Sequence, residues 1–305
     1  MSWRDQLSKD EIERLLEISD LRGWSTILVD WGLIAASFAV VAAWPNPATV
    51  VLALCLIGAR QLGLAVGMHE AAHRTLFRNV ALNDWAGNWL CAYPIWSDVH
   101  PYRGYHLQHH QKTWTTEDPD IGLATPFPIT RASLWRKVWR DLSGQTGWKR
   151  ARATWRRDLG LSQGRARRLD FTGTRNLVGV TVTNLVLLGI LTLAGHPALY
   201  LLWIGAWLTT YSLVMRIRSI AEHSMPGEPI SSPLQHTRTT LARWWERLFL
   251  APNRVNFHLE HHLATAVPHY RLPELHRLLR ERGVLDGANV VHGYLQVLRQ
   301  ASSRV

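Results

Sequence analysis

The chain has 305 residues, 47% of them hydrophobic, and a formal net charge of +11. With only two cysteines, Cys55 and Cys91, it carries neither a disulfide framework nor a cysteine-based zinc site. Sixteen tryptophans beside an excess of basic residues suit a membrane interface and an anionic partner.

Residues 1–23 are charged and lack the apolar core and cleavage site of a signal peptide. Ser8 and Glu11 have the spacing of a capping box, and Ile12, Leu15 and Leu16 share one helical face. This predicts an amphipathic segment lying on the membrane surface. Four apolar blocks reach the roughly 20 residues that cross a bilayer. They run over residues 24–44, 48–68, 176–195 and 197–217. Short uncharged connections, Pro45-Asn46-Pro47 and His196-Pro197, pair them into two hairpins.

Between Arg131 and Arg175 there are 13 Lys or Arg against 3 Asp, whereas the two connections carry no Lys or Arg. The positive-inside rule then puts both termini in the cytoplasm. The predicted fold is a single all-α integral membrane domain over 1–305. It has four transmembrane helices in two hairpins and a cytoplasmic helical cap, 69–175 and 218–305. The apolar stretch Trp85 to Trp96 is too short to span and reads as an interfacial or re-entrant helix. Asp30 and Arg60 are ionisable residues inside apolar blocks. They read either as an internal ion pair or snorkelling side chains, or as the lining of a substrate tunnel. Arg60 precedes His69 by nine residues, about 13 Å along one helix.

Eight histidines form three clusters: His69 and His73; His106, His109 and His110; His258, His261 and His262. Imidazoles at i, i+3 and i+4 lie close together on one side of a helix, and imidazole is the commonest protein metal ligand. Three such clusters hold too many ligands for one tetrahedral site, so two metals are the reading. Alone, His69-Glu70-Ala71-Ala72-His73 matches the zinc-protease motif, with Glu70 as general base. The HxxHH spacing at His106 and again at His258 weighs against a one-zinc protease. A metal carrier without catalysis is a further alternative.

The order HxxxH, HxxHH, HxxHH, with the first cluster after the second span and the third near the C-terminal end, resembles the membrane-bound fatty acid desaturase and hydroxylase superfamily. The resemblance runs from about residue 25 to residue 270. His258 stands where some members carry glutamine. The resemblance implies two non-haem iron ions held by histidines and O2 as co-substrate. It also implies four spans with a cytoplasmic cap, and removal of hydrogen from an acyl chain. It adds His223, just past the fourth span, as a ninth ligand. Desaturation of a fatty acyl chain on a membrane lipid is the expected activity, with hydroxylation of a lipid, sterol or carotenoid as the alternative.

Acidic residues beside the clusters are expected to orient the imidazoles: Glu70, Glu117, Asp118, Asp120, Glu222 and Glu260, with Asn256 near His258. His100, His196, His236, His269, His276 and His292 fall outside the spacing pattern and read as surface or structural. No haem-binding signature is read at either end and two cysteines cannot hold an iron–sulfur cluster, so electrons are expected from a separate donor, ferredoxin-like or similar. The basic stretch, interleaved with Trp135, Trp139, Trp148 and Trp155, reads as headgroup contact rather than a nucleic-acid site. An acidic donor is compatible with the same surface. A bacterial inner membrane with the metal site on its cytoplasmic side is the expected location.

Overall fold

A computed structural model describes residues 3–159, 171–229 and 232–304 of the chain. Residues 160–170 of the basic stretch lie outside the described residues. The described residues form sixteen α-helices with short 3-10 and π segments and one small sheet. The N-terminal helix α1 (Lys9–Leu16) precedes the long helices α2 (Asp20–Ala43) and α3 (Pro47–His73). Helices α4 (Val80–Ala86) and α5 (Val99–Lys112) follow, then α6 (Ile121–Ala124), α7 (Arg131–Leu142) and α8 (Gln145–Asp158). Next come α9 (Phe171–Leu193), α10 (Tyr200–Leu208) and α11 (Thr210–His223). The last five are α12 (Pro233–His236), α13 (Trp244–Phe249), α14 (His258–Leu263), α15 (Leu272–Glu281) and α16 (Tyr294–Ala301). Strands β1 (Thr239–Leu241) and β2 (Val290–His292) pair in parallel, a small addition to the all-α expectation.

Four helical stretches are long and apolar enough to cross a membrane: Asp20–Ala43, Pro47–His73, Asn176–Leu193 and Pro197–His223. The second runs five residues past its predicted end, so His69 and His73 lie on the spanning helix itself. The fourth is interrupted at Thr209 (φ −113°, ψ −85°), which divides α10 from α11. No Gly or Pro marks that break. Thr210 Oγ1 donates across to the Leu54 carbonyl at 2.5 Å, anchoring the start of α11 on α3. Gly58 makes this approach possible, since a Cβ there would sit 2.2 Å from Thr210 Oγ1 and 2.8 Å from the Tyr211 nitrogen.

Asp30 and Arg60 form a buried ion pair at 3.2 Å. Arg60 also donates to the Leu248 carbonyl at 2.5 Å, and Asn253 donates to Asp30 at 2.7 Å. The internal-pair reading therefore describes these residues, and neither of them lines a cavity described below.

Two expectations need correction. The apolar face of α1 does not lie against lipid: Leu15 is fully buried in a cluster with Leu259, Leu272, Leu275 and Leu279. Arg282 to Glu11 and Arg14 to Glu274, both at 2.8 Å, fix α1 onto α15. The capping box of Ser8 and Glu11 is present as expected. The Trp85 to Trp96 stretch, expected as one interfacial or re-entrant helix, is not a single helix. It passes from α4 through a π segment (Gly87–Ala92) and a 3-10 turn (Tyr93–Ile95), and Cys91, Ala92, Tyr93 and Ile95 are buried in the protein core.

Candidate metal centre

The histidines come from the ends of two span-length stretches and from two shorter helices. His69 and His73 occupy the last turn of α3. Arg103 caps that turn, donating to the carbonyls of Ala71 and Ala72 at 2.9 Å. His223 is the last residue of α11. Helix α5 starts at Asp98, whose side chain accepts from the His100 nitrogen, and carries His106, His109 and His110. Helix α14 is six residues long and carries His258, His261 and His262.

These nine residues separate into two groups. His69, His73, His106, His110 and His261 form one; His109, His223, His258 and His262 form the other, with the ligand atoms of each group within 4.8 Å of one another. Helices α5 and α14 each contribute to both groups. On α5, His106 and His110 are four apart and share a face, while His109 is rotated away from His110 by one residue. The HxxHH spacing thus feeds two adjacent sites from one helix.

The side chains suit a metal. His106 Nε2 lies 2.9 Å from His110 Nε2, His261 Nε2 lies 3.0 Å from His110 Nε2, and His258 Nε2 lies 2.8 Å from His223 Nε2. Two nitrogens bound at right angles to one ion at about 2.1 Å would stand roughly 3 Å apart. Nε2 of His69, His73, His109 and His262 is buried without a hydrogen-bond partner. Buried polar atoms are normally paired, and one cation in each group would satisfy all four. Burial, reinforced by the neighbouring imidazoles, holds His106, His258, His261 and His262 well below the ordinary histidine range. The rings are therefore neutral, the form that binds metal.

Behind the rings stand carboxylates and their partners. Glu70 Oε1 is 3.2 Å from His69 Nδ1, while its other oxygen accepts from Thr75 Oγ1 at 2.8 Å and from the His269 nitrogen at 3.0 Å. Both oxygens of Glu70 are thus engaged, one by His69 and the other by Thr75 and His269. Asp118 is 2.7 Å from His109 Nδ1, and Asp120 is 3.8 Å from the same atom while accepting from the Tyr105 hydroxyl. Glu222 is 3.5 Å from His258 Nδ1 and accepts from Arg218 at 2.6 Å. Glu260 touches none of the nine rings. It accepts from the Thr239 hydroxyl and lies 2.7 Å from His276 Nδ1, pinning α14 between β1 and α15.

Besides Glu260, two more of the predicted orienting residues are placed elsewhere. Glu117 is exposed and pairs with Lys112, because the turn after α5 points it to solvent while it buries Asp118. The Asn256 side-chain amide donates to the Thr240 carbonyl at 2.9 Å and so ties to the backbone of β1 instead. Conversely, His269 and His276 are buried and belong to the support. His269 packs against Glu70 and lies 3.1 Å from Thr26 Oγ1. Tyr102 stacks on His106 at 5.1 Å, and Thr113 Oγ1 is 3.4 Å from His262 Nδ1. None of these residues has the cluster spacing, and the contacts of His269 join residues far apart in the chain.

A cleft of about 230 Å³ between His110, Thr113, His236 and His262 touches both groups. Two apolar cavities lie among the long helices. One of about 680 Å³ runs between α2 and α9 past Trp31, Phe38 and Leu187. The other, about 320 Å³, lies between α8, α9 and α10.

Residues 42–294 match the family model described as fatty acid desaturase. The chain is 29% identical over 292 residues to a dihydrorhizobitoxine desaturase of Bradyrhizobium elkanii, covering 90% of this chain and 80% of that protein. It is 23% identical over 293 residues to an sn-1 oleoyl-lipid 12-desaturase of Picosynechococcus sp., covering 87% and 78%. It is 24% identical over 273 residues to an sn-1 oleoyl-lipid 12-desaturase of Arthrospira platensis, covering 82% and 74%.

Proposed function

The chain belongs to the fatty acid desaturase family and is an oxidoreductase of that type, and we propose that it desaturates a fatty acyl chain of a membrane lipid at a histidine-held di-iron centre. The observation that carries this reading is the convergence of nine histidines, five buried and four half-buried, into adjacent groups of five and four. His69, His73, His106, His110 and His261 would hold one iron; His109, His223, His258 and His262 would hold the other. Iron at these sites would supply the redox chemistry with O2 that an unactivated methylene requires, which zinc lacks.

The remaining work belongs to the side chains around the histidines. Glu70, Asp118 and Glu222 fix the ring orientation of His69, His109 and His258 and favour the tautomer that presents the other nitrogen inward. Four spans in two hairpins, with the cap and both termini cytoplasmic, follow from the uncharged connections and the basic 131–175 stretch. Spans of this length place the histidine-bearing ends of α3 and α11 at the membrane edge, where a lipid tail reaches them from its own solvent. An external ferredoxin-like donor supplies the electrons.

Expression in a heterologous bacterial host followed by lipid mass spectrometry tests the reading. The expected product has lost two hydrogens, and His109→Ala abolishes it. A product that has gained one oxygen would mark a hydroxylase. The similarity to dihydrorhizobitoxine desaturase, whose name states a different substrate, favours a second reading in which a small molecule replaces the lipid. An unchanged lipid profile from folded, iron-loaded protein would favour that alternative.

A further inference from the structure

Helices α7 and α8 present one face that the desaturase reading does not use. Their exposed positions include 135, 136, 139 and 140 on the first helix and 148, 149, 152, 155 and 156 on the second. On α7 these are Trp135, Arg136, Trp139 and Arg140; on α8 they are Trp148, Lys149, Arg152, Trp155 and Arg156. The tryptophans are 71%, 68%, 68% and 50% exposed in chain order. These neighbouring helices thus expose two indoles each, and clustered exposed aromatic surface of this kind marks interaction sites.

Charge narrows the partner. The two acidic residues of these helices point inward: Asp141 is buried on Arg216, and Asp158 is buried against Asn176 and Trp96. Among the described residues no carboxylate pairs with Arg136, Arg140, Arg152 or Arg156. The face is therefore cationic and aromatic, without a compensating anion. A groove of about 800 Å³ runs along α7, with Trp135, Arg136, Lys137, Trp139 and Arg140 in its walls.

Position narrows it further. Gly147 lets α8 lie directly on the break between α10 and α11, where an added Cβ would be 2.2 Å from the Leu208 carbonyl oxygen. Arg150 stacks over Trp207 at 4.3 Å and Tyr211 at 4.8 Å. Trp148 and Ala151 share the 320 Å³ cavity with Val180, Ile204 and Leu208 of the spanning helices. The pair is thus clamped against the fourth span-length stretch, and tryptophan beside arginine is the side-chain pairing that suits a headgroup layer.

We propose that the α7–α8 face is a binding site for anionic phospholipid headgroups: Arg136, Arg140, Arg152 and Arg156 engage the phosphate and the tryptophans sit at the glycerol level. Binding there is independent of turnover, so it is tested apart from the desaturase reading. The full-length protein is delipidated in neutral detergent. It is then titrated with phosphatidylglycerol or phosphatidylcholine, and retained lipid is counted by mass spectrometry of the intact complex. Wild type retains phosphatidylglycerol in preference. Arg136→Gln with Arg140→Gln weakens that retention about fivefold for each arginine removed, and Arg→Lys at the same positions restores it. Trp135→Ala with Trp139→Ala weakens retention of both lipids and keeps the preference. Melting temperature and metal content are measured on every variant, so loss of fold is not mistaken for loss of the site. Equal retention of the two lipids by wild type overturns the proposal. So does an unchanged preference in the glutamine variant, including the case where that variant loses reduction by an acidic ferredoxin instead.

Discussion

At the scale of single residues, the turn after α5 separates neighbours by role. Asp118 is 2.7 Å from His109, whereas Glu117 pairs with Lys112 in solvent. Glu70 is likewise shared between His69, Thr75 and His269. Removing the charge from a group that orients a metal-binding imidazole costs about 10–100-fold in metal affinity. Glu70→Gln and Asp118→Asn are therefore expected to lose iron to a competing chelator at about 10–100-fold lower chelator concentration than wild type. Glu117→Gln is expected to hold iron as wild type does. Equal iron retention in all three variants would remove the orienting role. The histidine clusters were legible because their spacing is local: i, i+3 and i+4 on one helix. His269 was not, because the carboxylate that it supports lies 199 residues away. Nothing near Pro268-His269 announces that partner.

At the scale of elements, two buried contacts decide how the helices are held. Asp30 on α2, Arg60 on α3 and Asn253 between α13 and α14 form one network inside the apolar bundle. Breaking such a pair by deleting one partner strands the other charge, at a cost of about 3–5 kcal/mol. Arg60→Ala should therefore melt well below wild type in detergent, while Asp30→Leu with Arg60→Met should recover much of the loss. The folded fraction of Arg60→Ala should give the wild-type product; an altered double-bond position would revive a tunnel-lining role. Helix α1 poses the opposite problem. An amphipathic period shows that one face is covered without saying by what, and the cover here is α15 rather than lipid. Leu15→Ala is accordingly expected to cost about 2–5 kcal/mol of stability in lipid-free detergent. A surface-anchoring helix would show no such loss there. The break at Thr209 was equally hidden, since neither Gly nor Pro stands at Thr209-Thr210 and the apolar run reads as one continuous span.

At the scale of the whole molecule, the long apolar stretches were legible from composition, yet the gathering of four chain segments around the histidines depends on tertiary packing that no local period encodes. That gathering has a thermodynamic consequence for the metal-free chain. Burial, and after it the charge of neighbouring imidazoles, pushes His106, His110, His258, His261 and His262 below the ordinary histidine value. In the unfolded chain each returns to about 6.5. Below that pH the unfolded state binds more protons than the folded one, so stability falls as pH falls. Above it both states are neutral and stability no longer changes through these groups. Metal binding adds to the effect in the same direction, because imidazole must be neutral to bind and ligand binding stabilises only the folded state. Chelator-treated protein should therefore keep a constant melting temperature from about pH 8 to about pH 7 and lose it progressively toward about pH 5.5. Iron-loaded protein should melt higher than the metal-free form at neutral pH, and the gap should shrink on acidification as protons compete for the rings. A metal-free melting temperature that stays flat down to about pH 5.5 would show that the clustered imidazoles are not buried neutral groups in the folded protein.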